Sequence, residues 1–138
     1  MEQIVTAYTD GAASGNPGPA GWAVLLDGEL FSDWLPHATN NQMELFAVQQ
    51  AIEHCSGNCH IQVTTDSKLV VGLYALGWKT KHEYLTTIVR VALDIAKLKD
   101  ITLSFKRVKG HSIDAGNLRV DKAAHAQTKI ARNALASH

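Results

Sequence analysis

The 138-residue chain has no apolar run near the ~20 residues a bilayer-spanning helix needs. Its start, Met1-Glu2-Gln3, lacks the basic flank and apolar stretch of a secretory signal. The default address is therefore the cytosol. Net charge is also missing, because thirteen Lys and Arg balance thirteen Asp and Glu, so the basic excess that often marks a nucleic-acid binder is absent. No internal repeat, low-complexity tract or linker interrupts the chain. With 46% hydrophobic residues, this length implies one compact domain over residues 1–138.

Cysteine is scarce. Cys55 and Cys59 lie in the run His54-Cys55-Ser56-Gly57-Asn58-Cys59-His60. Adjacent ligands on so short a turn do not readily converge on one tetrahedral ion, and the three-residue gap matches no strong zinc spacing. The pair reads as reduced thiols at a helix-to-strand turn, ahead of a disulfide or a metal site.

What is present has clear periodicity. Ile4 to Thr9, Gly21 to Leu26 and Leu30 to Leu35 read as strands, with Asp27-Gly28 as a tight antiparallel hairpin between the second and third. Gly11 to Gly21 reads as a loop. From Met43 to Cys55 the period becomes helical, with Ala47, Val48, Ala51, Ile52 and Cys55 on one apolar stripe and Gly57-Asn58 ending the helix. Ile61 to Thr65 is a fourth strand, Ser67 to Leu76 and Tyr84 to Leu98 are helices, and Ile101 to Val108 is a fifth strand. A Gly-containing loop then leads to a helix from about Leu118 to Leu135. This order predicts an α/β fold, a five-stranded mixed sheet with helices on both faces.

Four acids stand out. Asp10 and Asp66 stand where the first and fourth strands end, and a crossover through the first long helix would make those strands parallel neighbours with adjacent carboxyl ends, the edge where ligand sites of open α/β sheets lie. Glu44 lies on the buried stripe of the first helix, and an ionised Glu facing a core demands a partner. Asp121 opens the last helix beside Val120. Each acid also has an ordinary reading: Asp10 as a turn residue, Asp66 as a turn or cap, Glu44 completing a capping box with Asn41, and Asp121 at the positive end of its helix.

The surrounding letters resemble type 1 ribonuclease H over nearly the whole chain. TDGAASGNPGPAGWA resembles that family's first-strand motif, TNNQMEL its first-helix motif, TTDSKLV its third, VKGH its mobile-loop motif and NLRVDKAA its fourth. Five motifs in order are highly specific. The resemblance implies the ribonuclease H fold and an endonuclease that hydrolyses the RNA strand of RNA/DNA hybrids, leaving 5′-phosphate and 3′-hydroxyl ends. It assigns Asp10, Glu44, Asp66 and Asp121 as ligands of two Mg²⁺ ions, with Mn²⁺ a possible substitute. It makes His111 a helper in proton transfer or product departure, against the plain reading of a solvated loop histidine; the other six histidines read as surface or structural. Mg²⁺ prefers oxygen ligands, and two ions ~4 Å apart suit phosphodiester hydrolysis. With four acids serving as ligands, thirteen basic residues face nine acidic ones.

The same resemblance carries substrate contacts onto Asn16, Asn40 and Asn41, a DNA-phosphate pocket onto Thr39, and a flat surface for a DNA sugar onto Trp78. Their ordinary readings are turn asparagines, a helix cap and a core tryptophan, and Asn41 is expected to serve as both contact and cap. Two departures from the family pattern stand out. His37 replaces an Arg of the phosphate pocket, and Leu76 to Lys81 passes almost directly into the next helix where many bacterial members carry a basic protrusion. The expected enzyme acts as a monomer. Met1 and the tail ending at His138 read as a complete chain rather than a domain excised from a reverse transcriptase. A catalytically silent hybrid-binding module competes with the enzyme, as does a resolvase or transposase relative that would cut DNA duplex or junctions.

Overall fold

The computed structural model describes residues 3–110 and 113–136. Nine elements follow in chain order: β1 (Gln3–Ala13), β2 (Gly18–Leu26), β3 (Glu29–Ala38), α1 (Asn40–His54), β4 (Cys59–Thr65), α2 (Lys68–Ala75), α3 (Glu83–Leu98), β5 (Ile101–Arg107) and α4 (Ala115–Ala136). The strands form one mixed sheet in the order β3-β2-β1-β4-β5, with β1, β2 and β3 antiparallel and β1, β4 and β5 parallel. The expected fold class is the one observed.

The β2–β3 hairpin turns at Asp27 and Gly28, both with positive φ (49° and 87°), as a two-residue turn between right-twisted strands requires. The predicted stripe of α1 is buried throughout, packing with Leu45 against β1 and β2. Each large apolar side chain buried there contributes roughly 1.5–3 kcal/mol. On the other face, Val120 and Ala124 of α4 pack with Ala12 and Ala23 of β1 and β2.

The Gly11–Gly21 loop is a correction. Both flanking strands run deep into it, and the turn between them is confined to residues 14–17. Glycines suggest turns, but here they permit close approach. A Cβ on Gly11 would collide with the backbone of Met43 and Glu44, and one on Gly21 with the backbone of α4 at Ala124.

Two boundaries also differ. Thr39 is the N-cap of α1, not Asn41. Its Oγ1 accepts from the Gln42 amide at 3.1 Å while Gln42 Oε1 accepts from the Thr39 amide at 2.7 Å, so the capping box closes through Gln42 and leaves Glu44 out of it. The last helix begins at Ala115, where the carboxylate of Asp114 accepts from the Asn117 amide, so Asp121 sits in its second turn rather than opening it.

At the other end of α1, Cys55 is the C-cap residue and its Sγ lies 2.9 Å from that of Cys59, both thiols being buried. His54 Nδ1 bonds the Gln50 carbonyl, and His60 bonds Thr102 and Ser104. No helix among the described residues is long and apolar enough to cross a membrane.

Candidate active site

The carboxylates meet where β1 changes partners. The parallel register of β1 with β4 ends at Tyr8 opposite Thr64, while β1 continues through Ala13 against β2. Asp10 therefore does not end its strand, as the sequence suggests. It lies just past the point where β4 has stopped, with β2 on one side and the start of the turn into α2 on the other. Asp66 sits in that turn, one residue before Ser67 caps α2 through its side chain and the Val70 amide.

Glu44 enters from α1 one turn after the capping box, because the missing side chain of Gly11 lets that helix touch the strand. The Gly11 amide donates to Glu44 Oε1 at 2.6 Å, a short charge-assisted bond that fixes the carboxylate. Asp121 comes from the opposite side on α4. That helix is seated by Gly116 against the ring of Tyr8 and by Val120 in the sheet interface.

One ligand atom from each of Asp10, Glu44 and Asp66 lies within 4.8 Å of the others, and the same holds for Asp10, Asp121 and His125. Asp10 belongs to both trios. The structure thus brings together all four acids predicted from the sequence and adds a histidine that reads as a surface group in the sequence alone. Nothing in the sequence of α4 shows that it turns the face bearing Asp121 toward Asp10, so the one signal for His125 is its position four residues after Asp121.

Burial makes this arrangement costly without a counter-charge. Asp10 and Glu44 are 5% and 7% exposed. Desolvation is the largest cause raising the Asp10 pKa to about 10, and the hydrogen bond and charge of Glu44 and then the charge of Asp66 add to it. The Glu44 pKa is also raised, chiefly by desolvation, although its hydrogen bonds from Asp10, Gly11 and Ser67 oppose the shift. Both shifts run upward for the same reason, carboxyl groups packed together away from water with no counter-charge. A buried carboxyl pair flanked by two further carboxylates fits a divalent cation, which would supply the missing counter-charge.

A small cavity of about 90 Å³ opens beside the acids, lined by Asp66, Gly110, Asn117, Leu118 and Asp121. Asn117, buried at 2% exposure, is a site-lining residue that the sequence does not single out. A larger cavity, about 610 Å³, lies elsewhere, among α2, α3 and β5, and is lined by none of the four acids. His111 lies outside the described residues.

The candidate substrate contacts are arranged around the amino end of α1. Asn16, in the turn between β1 and β2, accepts from the Asn40 amide at 3.0 Å, tying that turn to the helix start. Asn40 and Asn41 are exposed, one turn before Glu44. His37 is exposed near the end of β3. Trp78 stands apart, beyond the far end of α2. It is not a core residue, being 50% exposed, with one ring face resting on Gly72.

Comparison with known proteins gives a consistent picture. The model of the family described as RNase H matches residues 2–129. A ribonuclease H of Prosthecochloris aestuarii is 39% identical over 145 residues, covering 94% of this chain and 98% of the relative. A ribonuclease HI of Xylella fastidiosa is 36% identical over 159 residues, covering 98% and 99%. Among solved structures, RNase H1 from the archaeon Halobacterium salinarum has a TM-score of 0.72 at 29% identity, covering 91% of this chain and 98% of that one.

Proposed function

The chain belongs to the ribonuclease H family, and from that premise we propose that it hydrolyses the RNA strand of RNA/DNA hybrids at the Asp10 cluster, leaving 5′-phosphate and 3′-hydroxyl ends. The observation that carries this reading is the pair of ligand trios sharing Asp10. Two adjoining trios that share a carboxylate could hold the two ions that an in-line phosphodiester displacement uses on its attacking and leaving sides.

Asp10, Glu44 and Asp66 would hold one divalent ion and Asp10 with Asp121 the other, Mg²⁺ by preference and Mn²⁺ as a substitute. Bound ions of this kind supply Lewis acidity and lower the pKa of a coordinated water. The chain's own residues supply position. The Gly11 amide orients Glu44, the end of β4 sets Asp66 beside Asp10, and α4 brings Asp121 from the opposite side. His111 is assigned the assisting proton role.

Uncharged groups at the start of α1 suit a hybrid, whose RNA strand presents 2′-hydroxyls that amides read as donors and acceptors. Asn16, Asn40 and Asn41 form that surface. Thr39 Oγ1 accepts from Gln42 yet keeps its own hydrogen to donate to a DNA phosphate oxygen. Trp78 and Asp66 flank α2, whose eight residues span about 12 Å, so an elongated substrate is needed to reach both. The protein is proposed to work as a monomeric, single-domain cytoplasmic enzyme.

The test uses end-labelled RNA/DNA hybrid with Mg²⁺, run beside DNA duplex, RNA duplex and a DNA junction. Shortened RNA from the hybrid alone, with 5′-phosphate ends, is expected, and Asp10→Asn should abolish it. A hybrid that is bound but left whole would identify a silent binding module, and cleavage of the junction would point to a resolvase-like enzyme.

A further inference from the structure

We propose that His125 is a ligand of the ion shared by Asp10 and Asp121, so that the two ion positions differ in chemistry. One is bounded by the oxygens of Asp10, Glu44 and Asp66, the other by two carboxylates and an imidazole. This inference rests on the metal-dependent reading given above and adds a ligand to it.

His125 lies four residues after Asp121 on α4, so the two side chains share a helix face. One of its ring nitrogens is within 4.8 Å of ligand oxygens on both Asp121 and Asp10. Inclusion of Asp10 is decisive. An ordinary surface pair of His125 with Asp121, whose Nδ1 and Oδ1 are 3.5 Å apart and whose side chains are 66% and 50% exposed, contributes little and would not involve a buried residue of β1.

The tautomer follows from the hydrogen bonding. Nδ1 lies 2.8 Å from the Asp121 backbone oxygen, and a carbonyl only accepts, so Nδ1 carries the hydrogen. Nδ1 is also the ring nitrogen that stands 3.5 Å from Asp121 Oδ1, so to serve as the ligand it would release the backbone oxygen and the hydrogen would pass to Nε2.

Nitrogen ligation changes which ion is preferred. Carboxylate and water suit Mg²⁺, whereas imidazole favours later divalent ions such as Co²⁺. The Asp10–Asp121–His125 position should accordingly discriminate against Mg²⁺ more than its neighbour does.

The experiment is binding of Co²⁺ alone and of Mg²⁺ alone to the intact chain without nucleic acid. Calorimetry and the visible absorption of Co²⁺ are read for the wild type, His125→Ala and Asp10→Asn. Circular dichroism verifies that each chain is folded, and Cys55 and Cys59 are common to all three. For His125→Ala, Co²⁺ affinity at one position should fall at least about tenfold with a changed absorption spectrum, within the range seen when a histidine's support at a metal is lost. Mg²⁺ affinity should stay as it is. If His125→Ala leaves Co²⁺ affinity and spectrum unchanged while Asp10→Asn removes binding, the imidazole is not a ligand and the carboxylate site stands. If neither substitution alters Co²⁺ binding, both the ligand and the metal reading of this cluster fall.

Discussion

Replacing Asp10 by Asn should make the metal-free protein more stable, and increasingly so as pH rises. The physical basis is the buried carboxyl group whose folded pKa is about 10 against an ordinary value of 3.8. A carboxyl with a raised pKa binds its proton more tightly in the folded state, so its contribution is fully present below about 3.8 and is lost progressively as pH climbs toward 10. In that window the folded protein holds up to one proton more than the unfolded chain, and unfolding free energy falls with a slope of at most about 1.4 kcal/mol per pH unit. Asn lacks the titration but can still donate to Glu44. The wild type should therefore lose up to about 3 kcal/mol relative to Asp10→Asn between pH 6 and pH 8. Urea unfolding of both chains in a chelator, at four or five pH values, measures this difference with the other titrating groups largely cancelling. Saturating Mg²⁺ should flatten the wild-type profile, because the ion takes over from the proton. Parallel pH profiles for the two chains in chelator would refute the reasoning, since they would mean that Asp10 ionises as freely in the fold as out of it.

Replacing His111 by Ala should slow turnover by about 10²-fold, the lower end for an acid or base helper, while leaving hybrid affinity and metal binding unchanged; an unaltered rate across the pH range would return it to an ordinary loop histidine. Thr39→Ala removes the capping-box hydroxyl and should cost about 1 kcal/mol, read as a drop of a few degrees in melting temperature, with weaker hybrid binding if the same hydroxyl meets phosphate. A Lys-rich segment inserted between Gly77 and Lys81 should tighten hybrid binding and steepen its salt dependence by roughly 0.9 in log–log slope per added phosphate contact. Equal affinities and slopes for native and grafted chains at several salt concentrations would show that the short connection between α2 and α3 does not limit substrate capture.

Much of this architecture is legible from sequence because local and global preferences agree. The stripe from Ala47 to Cys55 faces the core, Asp27-Gly28 makes the hairpin, and Glu44 on that stripe needs a partner and finds one. The failures have a shared cause. Gly11 and Gly21 read as loop residues because glycine is a turn signal, yet both serve helix–strand contact, which only the partner helix reveals. Asp10 reads as a strand end because its sequence neighbours are small, whereas the end that matters is that of β4, some fifty residues away. Asn41 has the chemistry of a cap, but the extended backbone and the Gln42 partnership fall to Thr39. His125 escapes notice because a helix alone does not tell which of its faces meets β1.

The position of α4 in the chain has a consequence for biosynthesis. It is the last described element to be translated, yet it covers one face of β1, β2 and β3 and carries Asp121 to an aspartate made more than a hundred residues earlier. A chain interrupted before α4 would lack both the cover that buries Ala12 and Ala23 and the fourth carboxylate. Cutting power would thus arrive together with the finished fold, so a product truncated before α4 would lack a complete site.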